Sequence, residues 1–152
     1  MRISVATDIS FTMESQCDFD DKFLPTLDMS LQLSMKGTPR MRYKFYKKPM
    51  ASKLGILQTS ALSEQVKSNT ITQEVIRRLS HTSRVETLET RISILDDYTN
   101  DMIASGYCMD ELKNFITPGI VGFERRVSRE LQGGAPLHRL GKDIKRSIFR
   151  KN

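Results

Sequence analysis

The sequence predicts an α+β fold, a small antiparallel sheet of two to three strands within residues 1–50 followed by a mostly helical bundle. Two observations carry this. Up to Phe45 apolar residues recur at every second position, and beyond Pro49 they recur at every third and fourth. A third is the turn-forming run Lys36-Gly37-Thr38-Pro39, which joins two alternating segments into a hairpin.

In the sheet region, Ile9, Phe11 and Met13 alternate with Ser10, Thr12 and Glu14, the pattern of a half-buried strand, and a polar loop follows. The segment LDMSLQLSM alternates more strictly. Leu27, Met29, Leu31, Leu33 and Met35 share one face and Asp28, Ser30, Gln32 and Ser34 the other. After the turn, Met41, Tyr43 and Phe45 point away from Arg40, Arg42, Lys44 and Tyr46, so RMRYKFYKKP is the second hairpin arm.

Helical spacing then takes over. Leu62 and Val66 predict a short first helix, and Thr70 with Gln73 has capping-box spacing ahead of Ile71, Val75 and Leu79. Arg77 and Arg78 close that helix with positive charge. The longest helix is expected from about Arg84 to Ser105, with Val85, Leu88, Ile92, Leu95, Tyr98 and Met102 as its stripe and Gly106 as its stop. A further helix starts near Asp110 and is expected to break at Pro118, with Phe123, Val127 and Leu131 forming another stripe. The tail, residues 133–152, places Leu140, Ile144 and Ile148 among Lys142, Lys145, Arg146, Arg150 and Lys151. It reads as a basic amphipathic helix or as a disordered arm.

The 152 residues suffice for one domain or two small ones, and the lack of tryptophan points to an aliphatic core. No apolar run approaches the roughly 20 residues of a membrane span, so no membrane partner is expected. Cys17 and Cys108 lie far apart without a C-x-x-C pair, which reads as reduced, packed thiols in an intracellular compartment.

Charge is laid out in blocks: −3 over residues 1–39, +8 over 40–84, −6 over 85–124 and +7 over 125–152. Either the blocks neutralise one another in the fold or they leave one positive face. The basic tail adds a nuclear-import or membrane-surface reading.

Catalytic and metal motifs are not legible. His81 and His138 have no zinc-like spacing, and there is no G-x-S-x-G elbow, Walker loop or G-x-G-x-x-G. Asp18, Asp20 and Asp21 invite comparison with a two-metal centre, but Phe19 adjoins the first aspartate where such centres place an aromatic two residues before the pair, so a solvated loop is the better reading. Asp96 and Asp97 diverge by roughly 100° on a helix and read as a solvated face. What remains is the basic hairpin arm. Its alternation of cations and aromatics suits nucleic acid, because cations neutralise phosphates and exposed rings stack on bases. It equally suits an edge strand whose charges prevent aggregation.

Five stretches taken in order, ISFTME (9–14), LPTLDMSLQL (24–33), YKFYKKPMAS (43–52), SALSEQVKSNTITQEVIRRL (60–79) and SGYCMDEL (105–112), resemble the region beyond the catalytic palm of Penelope-like reverse transcriptases and related reading frames of invertebrate mobile elements. Thr26 stands where that family often has phenylalanine and Met50 where threonine is usual. The resemblance implies that the sheet and hairpin are the end of the palm, that residues 51–132 are the helical thumb, and that the fingers and aspartate-bearing palm motifs lie upstream of Met1.

It therefore implies a non-catalytic, nucleic-acid-binding fragment, without cofactor of its own, since the magnesium of that polymerase family belongs to the palm. Its partner would be an RNA–DNA hybrid or DNA duplex, held without sequence specificity through Arg40, Arg42, Lys44, Tyr46, Lys47, Lys48, Arg77 and Arg78. The remaining polymerase portion or a second copy of the chain are further partners, and the setting is intracellular and nuclear. The alternative is a protein-interaction module in which the Val85–Met102 stripe pairs with a partner helix.

Overall fold

The computed structural model describes residues 2–4, 10–35, 37–49, 55–130 and 138–149. Strands β1 (Arg2–Ser4) and β2 (Ser10–Thr12) pair antiparallel, Ile3 opposite Phe11. A 3-10 turn at Gln16–Asp18, capped by Ser15, leads to β3 (Leu24–Thr26), β4 (Met29–Ser34) and β5 (Arg40–Phe45), an antiparallel sheet in the order β3-β4-β5. Four helices follow, α1 (Glu64–Ser80), α2 (Leu88–Ala104), α3 (Met109–Glu130) and α4 (His138–Phe149), so the α+β expectation holds.

The register places Met29, Leu31 and Leu33 opposite Phe45, Tyr43 and Met41, as alternation requires. Leu27 departs from it. β3 and β4 are joined by the two-residue turn Leu27-Asp28, and Leu27 sits at φ 48°, exposed, in place of a strand-face position. The faces also differ from expectation. The helices cover Phe45 and Tyr43 only in part, while Leu33, Met35 and Met41 remain 48, 69 and 60% exposed. On the polar face, Ser30 is buried and Phe23 packs against the cations of β5, its ring centroid 4.2 Å from Lys44 Nζ and 5.7 Å from Arg42 Cζ.

Helix α1 is continuous through the expected second start. Ser63 is its cap, its hydroxyl accepting from Val66 N, and the Thr70 hydroxyl donates to Val66 O inside the helix. Helix α2 begins at Leu88 rather than Arg84 because Thr87 caps it by accepting from Thr90 N, and Val85 is left exposed in the preceding loop. The longest helix is α3, 22 residues, which runs through Pro118 without a break. Its two apolar stripes share one face, with Leu112, Ile116, Ile120, Phe123 and Val127 all buried, and this common burial holds the helix together where proline removes one backbone bond.

One apolar core unites the helices: Ile71, Val75 and Leu79 of α1, Leu95, Tyr98 and Met102 of α2, the α3 face, and Ile144 and Ile148 of α4. Residues 138–149 of the tail thus form a packed amphipathic helix rather than a loose arm, with Gly141 N donating to Glu124. Leu131, Arg150 and Lys151 lie outside the described residues. At Gly119, α1 and α3 touch: a Cβ there would lie 2.7 Å from Val75 Cβ and 2.8 Å from the Thr72 carbonyl oxygen. Cys17 and Cys108 are exposed free thiols and not packing residues.

Candidate nucleic-acid interface

The basic arm lies where the sheet meets the bundle, and most of its cations have partners there. Arg42 forks Glu86, Nε to Oε1 at 3.0 Å and Nη2 to Oε2 at 3.1 Å, and Lys44 Nζ is 2.9 Å from Asp21. Lys47 reaches Asp101 at 2.5 Å. Arg77 binds Glu74 through two nitrogens, each at 2.7 Å, and also Asp28. The expectation that Arg42 and Lys44 stand free on the outer face is therefore corrected: Phe23 packs against them and two carboxylates hold them.

Arg78 is buried between Phe45 and Tyr98, its Cζ 4.4 Å from each ring centroid, with Nε 2.8 Å from Glu74. A guanidinium stacked between two rings is a planar rivet from β5 to α2. Burial opposes ionisation of Glu74, but hydrogen bonds from Arg77 and the charges of Arg78 and Arg77 outweigh it and hold the carboxyl below its ordinary range. Conversely the Glu74 hydrogen bond and charge raise Arg77. The Lys44 hydrogen bond, joined by Phe23 N, lowers Asp21.

Of the eight residues expected to bind, five meet in one shallow groove. Tyr46, Lys47, Lys48, Arg77 and Arg78 line it together with Leu27, Asp28 and Phe45, around about 330 Å³. Arg40 stands apart at the far end of β5, exposed. The side chains of Arg40 and Lys48 make no hydrogen bond or ion pair to the described residues, whereas Tyr46 N donates to Asp28 O and fixes the groove wall.

The acidic loop is not assembled for a cation. Asp18 caps Ser15 N at 2.7 Å, and Asp21 turns to Lys44 and to Phe23 N, so their carboxylates serve the chain's own donors. Among the described residues no three His, Cys, Asp or Glu side chains converge on a metal position.

Sequence reasoning did not nominate Arg91, Glu86 or Phe23. Arg91 is 4% exposed, donating to the carbonyls of Leu79, Thr82 and Ser83 and so holding the C-terminal end of α1. Its signal was present in the sequence: Arg91 stands four residues before Leu95 and eleven before Met102, a core position occupied by a cation. Of the stripe expected to pair with a partner helix, Leu95, Tyr98 and Met102 lie in the chain's own core, Leu88 and Ile92 pack partly buried against it, and Val85 is exposed.

Comparison with protein families, with curated proteins and with solved structures finds no match to this chain. None of the helices among the described residues is long and apolar enough to cross a membrane.

Proposed function

We propose that the chain binds the sugar-phosphate backbone of an RNA–DNA hybrid or DNA duplex in the groove between the Leu27-Asp28 turn, the end of β5 and the last turn of α1. The observation that carries this is the gathering of Lys47, Lys48, Arg77 and Tyr46 in one open groove. Lys48 offers the first contact. Arg77 then exchanges the exposed Asp28 for a phosphate, which is inexpensive because exposed ion pairs contribute only about 0–1 kcal/mol, while Lys47 adds a phosphate beside Asp101 without leaving it. Tyr46 lies beside the cations, where its ring meets a base or sugar. Arg40 widens the electrostatic footprint, Arg78 supports the groove wall, and Arg42 and Lys44 lie outside the groove, paired with Glu86 and Asp21.

The resemblance to the end of the palm and the thumb of Penelope-like reverse transcriptases supports the same reading, because sheet, hairpin and helical bundle follow in that order. On this reading the protein is an intracellular, nuclear binding fragment of a mobile-element polymerase and not a catalyst.

Fluorescence anisotropy with a labelled hybrid tests it. The affinity is expected to fall with salt at a logarithmic slope of about 0.9 per phosphate engaged, and Lys47→Ser with Lys48→Ser to reduce that slope by nearly 2. Binding that is insensitive to salt, or a double variant with the parent slope, overturns the proposal. A second reading rests on the exposed Leu33, Met35 and Met41, an apolar sheet face suited to a protein partner such as the polymerase portion or a second copy. A salt-insensitive, concentration-dependent dimer in size-exclusion chromatography supports that reading instead.

A further inference from the structure

A larger cavity, about 470 Å³, lies on another part of the junction, between Tyr43 of β5, the α1–α2 loop and the C-terminal half of α3. Its walls combine Tyr43, Phe123 and Val127 with three guanidinium groups, Arg84, Arg91 and Arg126. Arg91 lies beside Phe123, its Cζ 5.7 Å from the ring centroid, and three hydrogen bonds to backbone carbonyls fix its plane. Ser80, another lining residue, has a buried hydroxyl with no hydrogen-bond partner among the described residues. Small-ligand sites have this composition: a mainly apolar cleft of a few hundred Å³ with a few convergent polar groups.

We propose that this cavity binds a small aromatic carboxylate, its ring against Phe123, Val127 and Tyr43 and its carboxylate toward the guanidinium groups. The charge balance selects a monoanion. Three arginines face two lining carboxylates, and one of these, Glu86, is already forked by Arg42. The other, Glu130, is held at the rim by Arg84 at 2.8 Å and Arg126 at 3.5 Å and disfavours a second negative charge on the ligand. A planar carboxylate also matches the guanidinium fork. The site shares no lining residue with the groove and stands independently of the nucleic-acid reading.

The test titrates the full chain with 1-naphthoate, 1-naphthalenemethanol and 1-naphthyl phosphate, followed by backbone NMR shifts. Naphthoate is expected to bind at least tenfold more tightly than the alcohol and more tightly than the phosphate, with shifts at Tyr43, Phe123 and Val127 and none at Lys48. Arg126 is exposed and outside the core, so Arg126→Gln folds and weakens naphthoate about tenfold, the usual scale for one charge-assisted hydrogen bond. Lys113→Ser, at the far end of α3, leaves it unchanged. Equal affinity for the alcohol, tighter binding of the phosphate, no saturation by naphthoate, or an unaffected Arg126→Gln variant overturns the proposal.

Discussion

Replacing Gly119 by alanine sets two effects against each other, and the geometry decides between them. In an exposed helix interior the change stabilises by about 1 kcal/mol, because alanine loses less backbone entropy than glycine. Here the new methyl would meet Val75 Cβ at 2.7 Å and the Thr72 carbonyl oxygen at 2.8 Å, against roughly 3.5–4.0 Å for a comfortable carbon contact. Neither neighbour is the mobile end of a long side chain. Helices α1 and α3 must therefore separate by about half an ångström or more, which strains Val75 and the Thr72 hydroxyl bond to Phe115 O. Two contacts under 3 Å put this overpacking in the upper part of the usual range of about 1–3 kcal/mol, so the net loss after the gain of about 1 kcal/mol is about 1–2 kcal/mol. Gly122→Ala is the matched control, since its methyl meets only the Ile76 side chain, Cδ1 at 3.0 Å, which moves aside. It is expected to be neutral or stabilising. Urea unfolding by circular dichroism reads both, and a Gly119→Ala protein as stable as the parent refutes the close approach of α1 and α3.

Two other perturbations have defined signs. The Glu74 carboxyl is held below its ordinary value, so its contribution is fully present above the unfolded-state value near 4.5 and is lost as pH falls through the folded one; urea midpoints should decline below about pH 5, and Glu74→Gln should be less stable at pH 7 by about 2–4 kcal/mol with a flatter acid limb. Ser63→Ala should cost about 1 kcal/mol by removing the cap of α1, whereas Thr70→Ala should be neutral or stabilising, since Thr70 hydrogen-bonds back within the helix and caps nothing; thermal melts showing the reverse order would restore the second helix start at Thr70.

Periodicity revealed the β4–β5 hairpin, its register and most of the helical stripes, because burial repeats at the spacing of the backbone, but it did not show β1 or β3, and Leu62, Val66 and Val85 of the expected stripes stay exposed. It failed where local chemistry competes. Ser63 and Thr70 both present hydroxyls in capping positions, and only the fold decides which one sits at an end. Pro118 signals a break that common burial of Ile116, Ile120 and Phe123 overrides. The basic arm was legible as a cluster of charge but not as a cluster of partners, since Glu86 and Asp101 lie 44 and 54 residues away from the cations they hold. Arg78, Arg91 and Lys67 show the converse. Each stands in an apolar stripe, and each is buried with its charge met by a carboxylate or by carbonyl oxygens.

The apolar core is drawn from the four helices and from Tyr107 in the α2–α3 connection, and among the described residues the strands contribute none to it. The sheet is tethered instead by Arg42 to Glu86, Lys47 to Asp101, Arg77 to Asp28 and the stacked Arg78. Hydrophobic burial is insensitive to ionic strength, whereas these tethers are charged and several are partly exposed. Rising salt is therefore expected to loosen the hairpin before the bundle, leaving the Ser83 N to Tyr43 O hydrogen bond as a neutral link between them, and the hairpin amides are expected to exchange with water ahead of those of α1 and α3.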